Sequence, residues 1–290
     1  MPVLGVDVGG TKIAAGVVSE NAEILESVAA PTRAGEGYEV SLKQVYAAIR
    51  ACLREDVSAI GICAPGPLNP KTGVVLNPPN LPGWRDVPLA KLVAEEFHRP
   101  CRVENDANAA GLAETRFGAA RGCTSVFYVT LSTGIGTGII LDGRIYHGQN
   151  GQAGEGGHVT IDYASRTRCG CGLPGCIEAL ASGPAMARRG MPPEAIAAAV
   201  EAGEPRAVEI LEETAQMLAA WLGGMISLLD PEIVVIGGGV SEIGEPLFAR
   251  LRRMVPRRTI NQFAAATPIV PAQLGANAGI LGAAAIVLSS

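Results

Sequence analysis

The sequence predicts an α/β protein built from two related domains facing one another. Two observations carry this. Glycine-turned β-hairpin signals occur at residues 3–18 and again at 125–141, about half a chain apart, and each opens a series in which strand-like and helix-like segments alternate. The length of 290 residues, against roughly 150 expected per domain, allows two domains with real cores.

The elements follow in order. Residues 3–8 are a short apolar run ending at Gly9 and Gly10, and a second β-prone run, 13–18, follows directly. Residues 24–30 continue the strand signal, and 40–53 carry apolar residues at 42, 45, 46, 49 and 53, a helical spacing. A buried-strand pattern at 58–63 runs into Ala64-Pro65-Gly66-Pro67, and the prolines of 78–84 exclude regular structure there. A helix is expected over 87–97 and a strand over 102–104, after which Asn105 is placed to cap an alanine-rich helix reaching Phe117. The second hairpin surrounds the glycine-rich loop 132–138. Beyond it, 194–229 is mostly helical with breaks at Gly203 and Pro205, and a strand at 233–236 ends in Gly237-Gly238-Gly239. A small-residue helix is expected over 275–288, suited to close helix packing or close approach to a nucleotide.

Composition excludes several classes of protein. Hydrophobic residues make up 48% and charged residues 18%, which describes a folded chain rather than a disordered one. The net charge of −5 is spread without long like-charge runs, so no nucleic-acid footprint exists. The longest apolar stretch, 217–229, is shorter than the roughly 18 residues that span a bilayer, and reads as a core helix. The first ten residues lack a basic segment and contain Asp7, so no secretory signal is expected and a reducing cytoplasm is the default compartment. The 37 glycines, well above the usual ~7%, show no collagen-like period and point to tight turns and close backbone approach.

Three constellations carry chemistry. In Asp7-Val8-Gly9-Gly10-Thr11-Lys12 a carboxylate ends a strand and the turn exposes backbone amides, the arrangement that holds a metal-bound phosphate; alone it also reads as a plain glycine hairpin with a solvated Lys12. The loop holding Ser132, Thr133, Gly134 and Gly136 offers amides of the same kind, and two such loops could wrap a triphosphate. No Walker-type phosphate-loop sequence is present, and the dinucleotide-like match at 170–175 lacks a preceding strand and contains Pro174.

Cys169, Cys171 and Cys176 lie within eight residues on glycine turns, and His158 is the nearest upstream histidine, a spacing that fits a closed, structural Cys3His zinc site; the alternative is three buried reduced thiols. Cys52, Cys63, Cys101 and Cys123 show no such spacing and are assigned to core packing, and His98 and His147 to exposed or helix-capping positions. Asp106, at a strand-to-helix turn, is the expected general base, with a simple capping aspartate as the alternative. Position would matter more than basicity, since proton abstraction is late in dissociative phosphoryl transfer. Glu155 and Glu178 flank the thiol segment, where a metal-pinned loop would give them fixed directions for gripping hydroxyls.

At these residues the sequence resembles the repressor, open reading frame and kinase (ROK) family of sugar kinases, within the actin-like and hexokinase-like superfamily. The likeness covers nearly the whole chain: residues 7–11, Pro65-Gly66, 80–84, 104–106, 133–138, 155–158, 169–178 and 237–239, with the cysteine segment ending Gly175-Cys176-Ile177-Glu178 as the most specific mark. It implies an α/β fold of two actin-like or ribonuclease H-like domains with a cleft between them. The first is expected over residues 1–106 plus 277–290, the second over 107–276 with the zinc-binding loop.

The resemblance implies that Asp106 takes a proton from a sugar hydroxyl, that Gly66, Asn80, Asn105, Asp106, Glu155, His158 and Glu178 bind the sugar, and that His158 is also a zinc ligand. By the same likeness Gly9, Gly10, Thr11, Thr133, Gly134 and Gly136 hold phosphates, with Lys12 a further phosphate contact. Gly238 and Gly239 lie near the adenosine, and Asp7 positions magnesium indirectly. The implied activity is ATP-dependent phosphorylation of a hexose at C6 with magnesium, most like the glucokinase branch. Fructose, N-acetylglucosamine or N-acetylmannosamine are alternative substrates, and a non-catalytic sugar sensor is a rival of another class. Repressors of the family carry a winged-helix domain before the first strand; with that strand beginning at Val3, such a repressor is not expected. A homodimer or homotetramer is implied. The sequence departs from the family pattern in two places: Gly156 stands where a bulky apolar residue is usual, and Ser132 and Thr137 of the second glycine loop replace glycines. The first leaves open an enlarged pocket or a loosened Glu155.

Overall fold

The computed structural model describes residues 1–260 and 262–288. Strands β1 (Val3–Val8), β2 (Lys12–Val18) and β3 (Ile24–Pro31) lead to helix α1 (Tyr38–Cys52). Strand β4 (Ile60–Ala64) and the short ribbon of β5 (Leu68–Asn69) and β6 (Val74–Val75) precede α2 (Leu89–Phe97), and β7 (Cys101–Asn105) runs into α3 (Asp106–Phe117). The series then starts again with β8 (Val126–Leu131), β9 (Ile135–Leu141) and β10 (Arg144–Ile145). Helices α4 (Ile177–Ala181), α5 (Gly183–Arg188), α6 (Pro193–Glu201) and α7 (Pro205–Leu229) follow. The chain closes with β11 (Ile233–Gly237), α8 (Glu245–Met254), α9 (Gln262–Ala265), β12 (Ile269–Pro271) and α10 (Ala278–Ala285).

The echo between the halves is topological. One sheet has the order β3-β2-β1-β4-β7 and the other β10-β9-β8-β11-β12, so the two orders correspond strand for strand. In each, a hairpin supplies the antiparallel pair, β1 with β2 and β8 with β9. The central strand then pairs in parallel with the later ones, through β4 and β7 in one sheet and β11 and β12 in the other. These are two α/β domains of actin-like, ribonuclease H-like type. Parallel strands need crossover connections, and the helices between them supply these while covering the sheets.

The chain divides into two compact units, Met1–Gly118 with Ile145–Ala153 and Ala276–Ser290, and Ala119–Arg144 with Gly154–Gly275. The expected division at residue 106 and this one differ by helix α3 and residues 145–153, and for α3 the reason is steric. A Cβ on Gly282 would lie 2.8 Å from the Ala109 carbonyl carbon, and one on Gly61 would lie 1.8 Å from the Ala283 oxygen. The small residues of α10 therefore let it lie tightly between the first sheet and α3, which answers the choice left open for this helix in favour of packing. Residues Ile145–Ala153 join the same unit through Gln152, whose Nε2 donates to Leu68 O at 2.8 Å, and Lys71, whose Nζ donates to Gln149 O at 3.2 Å.

Helix ends shift for identifiable reasons. Val87 exchanges backbone hydrogen bonds with Val75 and Pro88 caps, so α2 begins at Leu89. Gly275 takes a left-handed φ of 51°, and Gly275–Asn277 form a 3-10 turn ahead of α10. Pro205 opens α7 rather than breaking it, because the first turn of a helix needs no donor there. On α7, Leu218, Trp221, Leu222 and Ile226 are buried while Leu228 is exposed, the expected core helix with one solvent-facing edge. No helix among the described residues is long and apolar enough to cross a membrane.

Candidate active site

In the first unit the β1–β2 turn is closed by Gly9 N–H donating to Lys12 O at 2.9 Å. Just past β3, Thr32 Oγ1 donates to Gly9 O at 2.6 Å, and Thr32 N–H to Thr11 O at 2.9 Å. The N–H groups of Gly10 and Thr11 have no intramolecular partner among the described residues, as a phosphate-holding turn requires. Gly10 lies against Asn80: a Cβ there would come within 2.8 Å of Asn80 O. The loop bearing Asn80 is shaped by Trp84, fully buried, whose indole donates to Ser41 Oγ at 2.7 Å. Lys12 and Asn80 are both exposed, and Gly66 is half-buried just past β4.

Asp7 is half-buried. Cys63 Sγ lies 3.4 Å from its Oδ1 and 3.4 Å from Gly279 O, and a Cβ on Gly279 would fall 2.2 Å from its Oδ2. Burial raises the Asp7 carboxyl above its usual range, opposed in part by the Cys63 thiol and the Lys12 charge. Cys63 was expected to serve packing alone; it also supports this carboxylate. Its own thiol is raised well above the usual value by burial, with Asp7 and Asp106 adding to the effect.

At the β7–α3 turn Asn105 caps the helix as expected, its Oδ1 accepting from Ala107 N at 3.0 Å and Asn108 N at 3.2 Å. Asp106 is exposed, with Oδ1 accepting from Ala107 N at 2.8 Å. Beneath them the buried Glu104 accepts from Asn105 N–H at 2.9 Å and Asn108 Nδ2 at 3.0 Å, while its other oxygen meets His147 Nε2 at 2.6 Å. His147 is thus not the free or capping histidine anticipated: Glu104 raises it, against burial and the Lys71 charge. His98 is exposed at the end of α2.

In the second unit the β8–β9 turn is closed by Ser132 N–H donating to Gly134 O at 2.9 Å. The Glu178 carboxylate accepts from Ile135 N–H at 3.0 Å. Gly238, with φ of 85°, brings the β11 end so close that a Cβ would sit 2.4 Å from Leu131 O. Beside it a cavity of about 680 Å³ is lined by Ser132, Thr133, Pro184, Pro193, Gly239 and Ile243. The structure therefore brings the second glycine loop and the triple glycine together.

It also assembles the thiols. One ligand atom each from His158, Cys169, Cys171 and Cys176 lies within 4.8 Å of the others. The Cys171 and Cys176 sulfurs are 3.7 Å apart, and Cys169 Sγ is 3.5 Å from His158 Nδ1. A tetrahedral zinc ion with ligands at about 2.0–2.3 Å sets its donors roughly 3.5–3.8 Å apart, so the set fits that metal with no position left open. His158 Nε2 then faces Glu155 Oε2 at 3.9 Å, and Glu155 is largely exposed. Glu178, expected to grip sugar, follows the thiol loop directly, two residues beyond Cys176, and its Oε1 lies 3.3 Å from Cys169 Sγ. Spacing alone did not single out Thr32, Glu104 or the Glu178 contact with Ile135 N–H; only the hydroxyl just past β3 and the acid before Asn105 were available as signals.

The chain belongs to the ROK family, whose sequence profile matches residues 3–290. Among relatives, it is 35% identical to a glucokinase of Thermotoga maritima, over 99% of this chain and 97% of the other. Among solved structures, a ROK hexokinase from Thermus thermophilus superposes with a TM-score of 0.85 at 40% identity, covering 98% of this chain and 97% of that one. A ROK family glucokinase from Streptomyces griseus, solved in complex with glucose and AMPPNP, superposes with a TM-score of 0.85 at 36% identity over 99% of both chains.

Proposed function

We propose that this protein is a glucokinase, transferring the terminal phosphoryl group of ATP to the C6 hydroxyl of glucose. The observation that carries the reading is the full-length likeness to a glucokinase solved with glucose and an ATP analogue, in a chain whose two hairpin turns both present backbone amides. Asp106 accepts the hydroxyl proton as the oxygen attacks, and being exposed and fixed at a capped helix start it contributes direction more than basicity. Gly66, Asn80 and Asn105 are the sugar contacts of the first unit, and Glu155, His158 and Glu178 those of the second.

Phosphate oxygens take the amides of Gly10 and Thr11 with Gly9 and Lys12 beside them, and those of Thr133, Gly134 and Gly136. The adenosine takes the cavity beside Gly238 and Gly239. Magnesium, which accompanies ATP, would supply charge neutralisation at the transferred group, and the half-buried Asp7 is the carboxylate that would position it indirectly. Zinc held by His158, Cys169, Cys171 and Cys176 is structural. The protein works in the cytoplasm as a homodimer or homotetramer, which sedimentation of the purified chain tests.

The deciding experiment is a coupled assay with magnesium ATP and a panel of glucose, fructose, mannose, N-acetylglucosamine and N-acetylmannosamine. Glucose should give the highest kcat/KM. A higher value for another hexose moves the assignment within the family, and hexose binding without ADP formation turns it into a sensor.

A further inference from the structure

Glu155 stands between two glycines, Gly154 and Gly156, and a carboxylate on so pliant a backbone needs an external anchor to keep one direction. The anchor is on β9. Thr137, only 2% exposed, donates its hydroxyl to Gly154 O at 2.5 Å and accepts from Gly156 N–H at 3.1 Å. One hydroxyl thus bridges the backbone on both sides of Glu155. From α7 the buried Trp221 indole donates to Gly156 O at 3.1 Å.

The space around Gly156 is also occupied. A Cβ there would meet Thr137 Oγ1 at 2.8 Å, Thr137 Cγ2 at 3.0 Å and the Trp221 ring at 3.4 Å. Gly156 neither enlarges a pocket nor loosens its neighbour, because the threonine and tryptophan side chains fill the volume that a side chain at 156 would take. The two departures noted in the sequence, glycine at 156 and threonine at 137, are one arrangement in space.

We propose that Thr137 is a positioning residue for sugar recognition: its hydroxyl, together with the Trp221 indole, holds Glu155 in its sugar-binding direction, and its side chain, through both the hydroxyl and the methyl, requires glycine at 156. The importance of Glu155 for sugar rests on the function proposed above; the pin itself does not. Losing the two hydrogen bonds made by one hydroxyl should be plainly measurable, about tenfold or more in affinity.

The test combines kinetics, sugar binding without nucleotide, and amide hydrogen exchange over residues 154–158. Thr137→Val keeps the volume and removes the hydroxyl. It should raise KM for glucose about tenfold or more while kcat changes less than about threefold, weaken glucose binding by the same factor, and speed exchange at 154–158 at least tenfold. Thr137→Ser should restore all three to within about threefold of the parent. Gly156→Ala should behave like the valine variant, and Thr137→Gly combined with Gly156→Ala should bind glucose better than the product of the two single losses, because the clash is gone.

Parent-like exchange and KM in Thr137→Val, or a strictly multiplicative double variant, would overturn the inference. Faster exchange in the valine variant, with no hexose bound or phosphorylated by the parent, would leave the pin standing and remove the glucokinase reading instead.

Discussion

The turn between β1 and β2 and the turn between β8 and β9 hold the same place in two sheets of corresponding strand order, yet they are fastened differently. The first is held by the Thr32 hydroxyl and amide, just past the adjoining strand β3. The second is held by the Glu178 carboxylate of α4, which accepts from Ile135 N–H and stands two residues beyond Cys176 of the thiol loop. One turn depends on the residue that ends its neighbouring strand, through backbone and hydroxyl alike, whereas the other depends on whatever orders the thiol loop. A repeated fold need not carry repeated supports.

The sheets differ again at their far parallel strands. Strand β7 runs directly into Asn105 and Asp106, while β12 ends at Pro271 with no acid following. The largest expected effect follows from this asymmetry. Asp106→Asn should lower kcat by about 100- to 10,000-fold, the usual contribution of a positioned general base. Its melting temperature should stay with the parent, because Asn105 supplies the helix cap. Turnover within tenfold of the parent would show that the first sheet carries no base either.

Next in size is the metal. Stripping zinc with a chelator, or Cys176→Ser, should release His158 and Glu178 together and raise KM for glucose about 10- to 100-fold, the scale on which supporting shells around metal sites act. The comparison between turns is read by hydrogen exchange: the Ile135 amide should exchange faster, while Gly9 stays protected. Elemental analysis should find one zinc per chain, and a metal-free protein with parent-like Ile135 protection would sever the link drawn between the thiol loop and the second turn.

Smaller effects separate the two fastenings themselves. Thr32→Val removes one hydrogen bond to Gly9 O and should cost about 1 kcal/mol of stability in the first unit, read by denaturant unfolding, with KM for ATP raised only a few-fold. Glu178→Gln keeps an acceptor for the Ile135 N–H but removes the charge, and its larger effect should fall on glucose. Equal effects of both variants on both substrates would mean that the turns are not independently held.

Much of this was legible in the sequence because it was local. The hairpins are written in strand runs ended by glycine, the Asn105 cap in residue type and position, and the clustering of the thiols in their spacing on glycine turns. What escaped depended on distant partners. Nothing near His147 in sequence announces Glu104, which lies 43 residues away. Cys63 looked like packing because Asp7 is 56 residues distant. Gly156 looked like a loosened loop because Thr137 and Trp221, which occupy its side-chain space, lie on separate elements. The extent of the first unit escaped for the same reason, since α3 is claimed by a helix from the other end of the chain.

The pair of His147 and Glu104 gives the smallest predicted effect and the finest contrast between units, since the second unit's His158 lies among three cysteines while this one titrates against a carboxylate. Glu104 holds the histidine above its ordinary value, with burial and Lys71 pulling the other way. A raised folded value means that the pair's stabilisation is fully present below the unfolded histidine value of about 6.5 and is lost as pH climbs through the higher folded value. Denaturant unfolding of the parent and of His147→Gln should therefore differ most near pH 6 and converge by about pH 9, with the parent the more stable at the acid end. A difference that stayed constant across that range, or grew with pH, would show that His147 fastens residues 145–153 to Glu104 as a neutral ring, and that the first unit is as insensitive to protons as its hairpin turn.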